Sequence, residues 1–317
     1  MDATPKISFC TTCKGRLHHL QQTLPQNLAN TADYDNVEFV ILNYDSPDNL
    51  DSWIREHYAD EIASGRIRYA RVDDKPHFHM AHAKNLSHRL ATGDILCNLD
   101  ADNIIAPNSA RWMAEQFAQK PDIVIRNMWE PIHRRLLQGH LNDKGFGGRI
   151  AITRDNFNRL HGYDENMPGW EGDDDNLIAR AQHTGLQLIK VPNHLKGCII
   201  AHSDETRTEH MAPQVKERSD AVLAKVHSIR EKFRNGAKKL VRRHPIPKPE
   251  PDMANPDGRF GEGSVYLNLS DHPTVISSQG SMPPSLPEAS TQEGKRRWVT
   301  TLNPGRDPEE ANPPSLR

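Results

Sequence analysis

Strand-like and helix-like hydrophobic patterns alternate along residues 7–119, and this alternation constrains the fold more than any other feature. Ile7–Cys10 reads as a short strand, and Leu17, Leu20, Leu24 and Leu28 follow at helical spacing. Val37–Leu42 reads as a buried strand, Leu50–Ile62 as a helix and Ile67–Val72 as a strand. Ala81–Leu90 is a helical pattern closed by Gly93. Ile95–Leu99 is then strand-like and Ser109–Gln119 helix-like. Such alternation with short connections predicts an α/β fold with a mainly parallel sheet covered on both faces. Ligands bind such sheets beyond the carboxyl ends of the strands. The residues just after Cys10, Leu42, Val72 and Leu99 are therefore the places to look for chemistry.

The second half is less regular. Ile123–Arg126, Gly148–Thr153, Leu186–Val191 and Cys198–Ala201 read as strands, and Asn176–His183 as a helix. Val222, Val226, Ile229, Phe233 and Leu240 form a helical stripe, with eight Lys or Arg and one acid between Lys225 and Arg243. A basic amphipathic helix over 216–243 either packs on the preceding domain or lies on an anionic membrane surface. Composition decides where the folded part ends. Thirteen of the 23 prolines lie in 244–317, and that segment lacks sustained periodicity. The expected organisation is a catalytic domain over 1–215, a basic helix over 216–243 and an unstructured tail over 244–317.

Forty Lys and Arg against 42 Asp and Glu leave the chain almost neutral, which argues against a nucleic-acid binder. No apolar run approaches the length of a membrane span, and Met1–Lys6 lacks the pattern of a secretory leader. The expected location is cytoplasmic, with possible peripheral contact on the inner face of the membrane. Cys97 and Cys198 sit in apolar runs and read as small buried hydrophobes. Cys10 and Cys13 form a single C-x-x-C, which suits a redox pair or half a zinc site, but packing roles fit better without a second pair.

Two acidic segments carry the chemistry. Asp100 and Asp102 follow a strand, and residues two apart in an extended chain face the same way. Two carboxylates there suit a divalent cation and the phosphate oxygens it holds, although a strand-ending turn uses the same residues. The second segment is Gly169-Trp170-Glu171-Gly172-Asp173-Asp174-Asp175 at the start of a helix. Helix capping explains one or two of these acids. Three consecutive aspartates beside a tryptophan on a glycine-rich loop suit a general base and a sugar platform instead. His202, after an apolar run, gains interest only as a metal ligand joining the acids. His79–Asn85 opens a helix, where Lys84 and the helix N-terminus suit phosphate.

In this order the segments resemble family 2 glycosyltransferases, nucleotide-sugar transferases of the Rossmann-like GT-A fold. The resemblance rests on Ile7–Arg16, Asn43-Tyr44-Asp45-Ser46, Lys84-Asn85, Ala91-Thr92-Gly93-Asp94 and Leu99-Asp100-Ala101-Asp102. The later run Gly147–Phe157, Leu160–Tyr163 and Gly169–Asp175 is similar to the C-terminal region of β-1,4-galactosyltransferases. Asp173 stands where that region usually has Glu, Glu171 where it has Gly, and Asn43 where the family usually has an acid.

The resemblance implies roles residue by residue. Asp102 and His202 would bind Mn²⁺ or Mg²⁺, with Asp100 supporting the metal or touching the ribose. Asp174 would be the catalytic base. Trp170, Asp173 and Gly148 would shape the sugar sites, and Asp45 and Lys84 would lie near the nucleotide. Gly145 aligns with a bulkier residue of galactose-specific relatives, which implies room for an N-acetylhexosamine. The implied reaction is inverting transfer of a hexose or N-acetylhexosamine, from a UDP-sugar to a glycan or lipid-linked glycan hydroxyl. The rivals are an inactive binding module of the same fold, a retaining transferase or nucleotidyltransferase, and a thiol redox protein.

Overall fold

The computed structural model describes residues 4–127, 146–170, 172–203, 205–234 and 253–278. The N-terminal half alternates as its hydrophobic pattern predicts. The strands are β1 (Ile7–Cys13), β2 (Val37–Tyr44), β3 (Ile67–Val72) and β4 (Ile95–Asn98). Between them run α1 (Leu17–Asn30), α2 (Leu50–His57), α3 (Ala59–Ala63) and α4 (Met80–Leu90). The single helix expected over Leu50–Ile62 breaks at Tyr58, whose φ of −135° leaves the helical region. Its ring is buried edge-on against Trp53, 5.1 Å between centroids.

The chain continues through β5 (Asn103–Ile104), α5 (Ser109–Gln119), β6 (Ile123–Arg126), a 3₁₀ turn at Phe146–Gly148, β7 (Ile150–Thr153) and α6 (Arg154–Arg159). Then come α7 (Asp173–His183), β8 (Gln187–Lys190), β9 (Cys198–Ile199), α8 (Glu205–Thr208), α9 (Pro213–Arg234), β10 (Gly263–Leu267) and β11 (Pro273–Ile276).

Nine strands form one mixed sheet in the order β11-β10-β3-β2-β1-β4-β7-β6-β8. Its centre, β3-β2-β1-β4, is parallel as expected. On the flanks, β7 and β10 run antiparallel to their neighbours. Alternate residues of each central strand feed two cores. Ile7, Phe9, Phe39 and Ile41 face one core, while Cys10, Val40 and Leu42 face the other. Both faces are thus buried, and so the strands read as continuous apolar runs.

Three expectations need correction. The segment from 244 onward is not unstructured throughout, because β10 and β11 form a hairpin that adds to β3. Asn255 and Phe260 ahead of the hairpin are buried against the main body. The basic helix begins at Pro213 and is described to Arg234. Its first half packs inward through buried Ser219 and Leu223, so the domain boundary expected at 215 falls inside a packed element. Residues 235–252 and 279–317 lie outside the described residues. Finally, Cys198 is exposed, because its strand β9 pairs only with the two-residue β5. Cys10, Cys13 and Cys97 are free and buried, which favours packing over redox chemistry. Among the described residues no helix is long and apolar enough to cross a membrane.

Candidate active site

The acids predicted from the sequence gather at the carboxyl end of the parallel strands. Asp100 and Asp102 follow β4 directly. The small β5–β9 ladder, with Asn103 opposite Ile199 and Ile104 opposite Cys198, folds the chain so that His202 reaches Asp102. His202 Nε2 lies 2.9 Å from Asp102 Oδ2, and Asn103 Nδ2 donates to Asp102 Oδ1 at 2.8 Å. Burial by itself would raise the Asp102 carboxyl. The hydrogen bonds from His202 and Asn103 outweigh it and hold the group below its ordinary value. Asp100 behaves oppositely. Burial pushes its carboxyl up, Lys84 opposes the rise, and the charges on Asp102 and Asp174 add to it.

The Asp173-Asp174-Asp175 run opens α7 behind Gly172, whose φ of +97° suits glycine at the helix entry. Its three carboxylates part company. Asp175 pairs with Arg126 at 2.5 Å, and Arg126 also donates to the Gly147 carbonyl at 2.7 Å, which fixes the turn before β7. Asp173 and Asp174 both point at Lys84, 2.6 and 2.8 Å from its Nζ. Burial pushes Asp173 up to about 6, and the charge on Asp174 adds to the rise while Lys84 opposes it. Burial would lower the Lys84 ammonium, but Asp173 and Asp174 outweigh it and hold it well above its ordinary value.

Gly148 sits where the two acidic segments meet. A Cβ built there would lie 2.9 Å from Asp100 Oδ2 and 3.1 Å from Asp174 Oδ2. Both oxygens therefore converge on one small space, left open because residue 148 has no side chain. Asn98 holds the arrangement by donating to both Asp100 Oδ1 and the Gly148 carbonyl, each at 3.0 Å.

Trp170 is half-buried, and its backbone N–H donates to Ser219 Oγ of α9 at 3.0 Å. Val215 and Ser219 press against Gly169, where an added Cβ would fall within 2.7 Å of both side chains. The first half of α9 thus supports the tryptophan loop. Asp45 follows β2 with φ of +52° and lies 3.8 Å from Lys14 Nζ. Glu171 and Gly145 lie outside the described residues.

Sequence reasoning passed over two cations in the loop after β1. Lys14 is buried and donates to the carbonyls of Tyr44, Asp45 and Lys75, tying together the ends of β1, β2 and β3. Arg16 donates to the Thr206 carbonyl, and its guanidinium feels the charge of Asp102. Their signal was the run Lys14-Gly15-Arg16 just beyond a strand's carboxyl end, where anionic ligands of such sheets bind. Asn85 is a clamp between elements. Its amide donates to the Tyr163 carbonyl and Glu165 Oε1 and accepts from the Tyr163 N–H.

The donor chemistry of Asp102 and His202 fits a divalent metal. An imidazole and a carboxylate side by side are the ligand types such an ion takes, and these two residues would hold it. Among the described residues no three metal-binding side chains share a centre.

The sequence model of glycosyl transferase family 2 matches residues 8–161. The model described as the N-terminal domain of galactosyltransferase matches residues 138–204. Residues 8–161 form a glycosyl transferase family 2 domain. The two matched stretches meet across the site, the first carrying Asp45, Lys84, Asp100, Asp102 and Gly148, the second Gly148, Trp170, Asp173, Asp174 and His202.

Mouse β-1,4-galactosyltransferase 1 is 35% identical over 66 residues, which is 20% of this chain and 16% of the mouse protein. A Pyrobaculum calidifontis mannosyltransferase, solved with GDP-Man and Mn²⁺, superposes with a TM-score of 0.52 at 20% identity. That superposition covers 66% of this chain and 60% of the mannosyltransferase, and it shows a shared GT-A fold. The chain thus spans less than two thirds of the length of either relative.

Proposed function

We propose that this chain is a metal-dependent inverting glycosyltransferase, moving a hexose or N-acetylhexosamine from a nucleotide sugar, in first place a UDP-sugar, to a glycan hydroxyl. The observation that carries the reading is the convergence of Asp100 Oδ2 and Asp174 Oδ2 over Gly148, beside the Asp102–His202 pair. The fold shared with a mannosyltransferase that binds GDP-Man and Mn²⁺ supports a nucleotide-sugar donor and a divalent metal.

Asp102 and His202 would hold Mn²⁺ or Mg²⁺. When bound, the cation supplies positive charge for the departing diphosphate, so that the leaving group needs no proton. Arg16, which feels the charge of Asp102, would add positive charge on the same side. Asp174 Oδ2 accepts the proton of the acceptor hydroxyl as that oxygen bonds to the anomeric carbon. The bond from that carbon to the diphosphate oxygen breaks as the new one forms, and a single displacement inverts the centre. Trp170, steadied by Ser219, offers its ring as a platform for the acceptor sugar. Asp45 lies at the β2 end, on the side of the nucleotide. A free and a lipid-linked acceptor both fit this reading; the inward packing of the first half of α9 favours a support role for this helix over a membrane contact.

The test is a donor screen with Mn²⁺, following release of nucleoside diphosphate with and without simple sugar acceptors. UDP-galactose and UDP-N-acetylgalactosamine form the first comparison. Asp174→Asn should lower transfer about 100-fold or more while donor binding stays near wild type. Full activity in that variant would remove Asp174 from the role of base. Binding of donors without release by the wild type would favour an inactive nucleotide-sugar-binding module.

A further inference from the structure

We infer that Lys84 is a positioning residue that fixes which oxygen of Asp174 faces the acceptor, rather than a contact for the donor's phosphates. The inference rests on the proposed role of Asp174. An ammonium group has three hydrogens to give. Two go to Asp173 Oδ2 at 2.6 Å and Asp174 Oδ1 at 2.8 Å. The ring of Tyr163 lies on another side, 4.9 Å from Nζ to its centroid. Lys84 is only 5% exposed, which leaves little of the ammonium for a diphosphate.

The same geometry settles the two oxygens of Asp174. Oδ1 is held by Lys84, and Oδ2 is the atom that points at Gly148 beside Asp100 Oδ2. The anchor is rigid at both ends. Lys84 stands on α4, and its neighbour Asn85 is bonded on both sides to Tyr163. Asp174 stands in the first turn of α7. A carboxylate with one oxygen tied to a buried cation cannot rotate its free oxygen away from the cleft without breaking a charge-assisted bond. Asp100 and Asp173 are the other charged groups facing Asp174, and both are acids that would push an untethered carboxylate aside.

The experiment measures turnover and nucleotide binding separately. Lys84→Met should lower kcat about 100-fold, the lower range of what a general base contributes, because Asp174 loses its fixed orientation. The KM for donor and the Kd for UDP with Mn²⁺ should stay within about threefold of wild type, since no ground-state contact is removed. Lys84→Arg, which can still span two carboxylates, should recover a large part of kcat. A rise in UDP Kd matching the loss of turnover would overturn the inference, as would unchanged kcat.

Lys84→Met leaves Asp173 buried without its cation and is exposed to misfolding. Lys84→Met combined with Asp173→Asn removes one charge of each sign. Its kcat should fall far below that of Asp173→Asn alone, and equality of the two would overturn the inference. If the wild type releases no nucleotide from any donor, the proposed function fails and the Lys84 ammonium signal in isotope-labelled lysine NMR still decides. Perturbation by Asp174→Asn supports the tether. Perturbation by UDP, with no response to Asp174→Asn, overturns it.

Discussion

Gly148 has no side chain, and two carboxylates depend on that. A methyl group at this position would lie 2.9 Å from Asp100 Oδ2 and 3.1 Å from Asp174 Oδ2. Both are tips of side chains, so the clash is relieved by moving them rather than the backbone. Gly148→Ala should therefore fold with a thermal midpoint close to wild type. Its turnover should fall about 100-fold, because a shift of about 1 Å in catalytic groups costs that much. Turnover near wild type would mean that the two oxygens do not act together. At this scale much of the site was legible in the sequence. The segments singled out in the sequence supply two groupings, Asp102 with His202, and Asp100, Asp173 and Asp174 around Gly148 and Lys84. The partners of Lys84 were not legible, because sequence places it only at a helix start. Which carboxylate a buried lysine reaches is set by how two helices pack. The separate fate of Asp175 was hidden for the same reason, since Arg126 comes from a strand 49 residues earlier.

Among elements, the central strands and their helices followed directly from hydrophobic period, because two buried faces demand it. The hairpin β10–β11 did not. Gly263, Pro273 and mostly exposed or half-exposed side chains give it no apolar alternation, and its place in the sheet comes from pairing with the distant β3. What secures it is a buried polar clamp that no period reveals. Asn255 donates to the carbonyls of His161 and Tyr163 at 2.7 and 2.8 Å and accepts from the Glu165 N–H at 3.1 Å. It does so with φ of +48°, a region asparagine tolerates better than most residues. Phe260 stacks on His161, and the Gly261 N–H donates to Glu165 Oε1. Asn255→Ala should destabilise the protein by about 3 kcal/mol, since it strands buried backbone groups and adds left-handed strain. Asn255→Gly should recover about 1 kcal/mol of that by removing the strain alone. Urea unfolding of the three proteins measures both differences. Equal stability of Asn255→Ala and wild type would mean that the clamp contributes nothing.

For the molecule as a whole, two buried groups pull the acid stability profile in opposite directions. His88 is 2% exposed, stacks on Phe157 at 4.8 Å and donates from Nδ1 to the Lys84 carbonyl at 2.7 Å. Burial, helped by the charges of Lys84 and Arg154, lowers it from 6.5 to about 3. Between those values the unfolded chain holds the proton and the folded one does not. Stability therefore drops as pH falls through this window, by about 1.4 kcal/mol per pH unit for one group. Asp173 has the opposite sign. Its folded value is raised to about 6, so the folded chain takes up a proton first and stability is regained as pH falls below that value. The two slopes largely cancel below pH 6, so a shallow profile in the wild type would conceal both. Substitution separates them. His88→Gln keeps a donor for the Lys84 carbonyl but cannot be protonated. Its unfolding free energy, from urea melts at pH 6.5, 6 and 5, should rise relative to wild type by about 1.4 kcal/mol for each unit of acidification. A constant difference between the two proteins across that range would show that His88 titrates alike in the folded and unfolded chains.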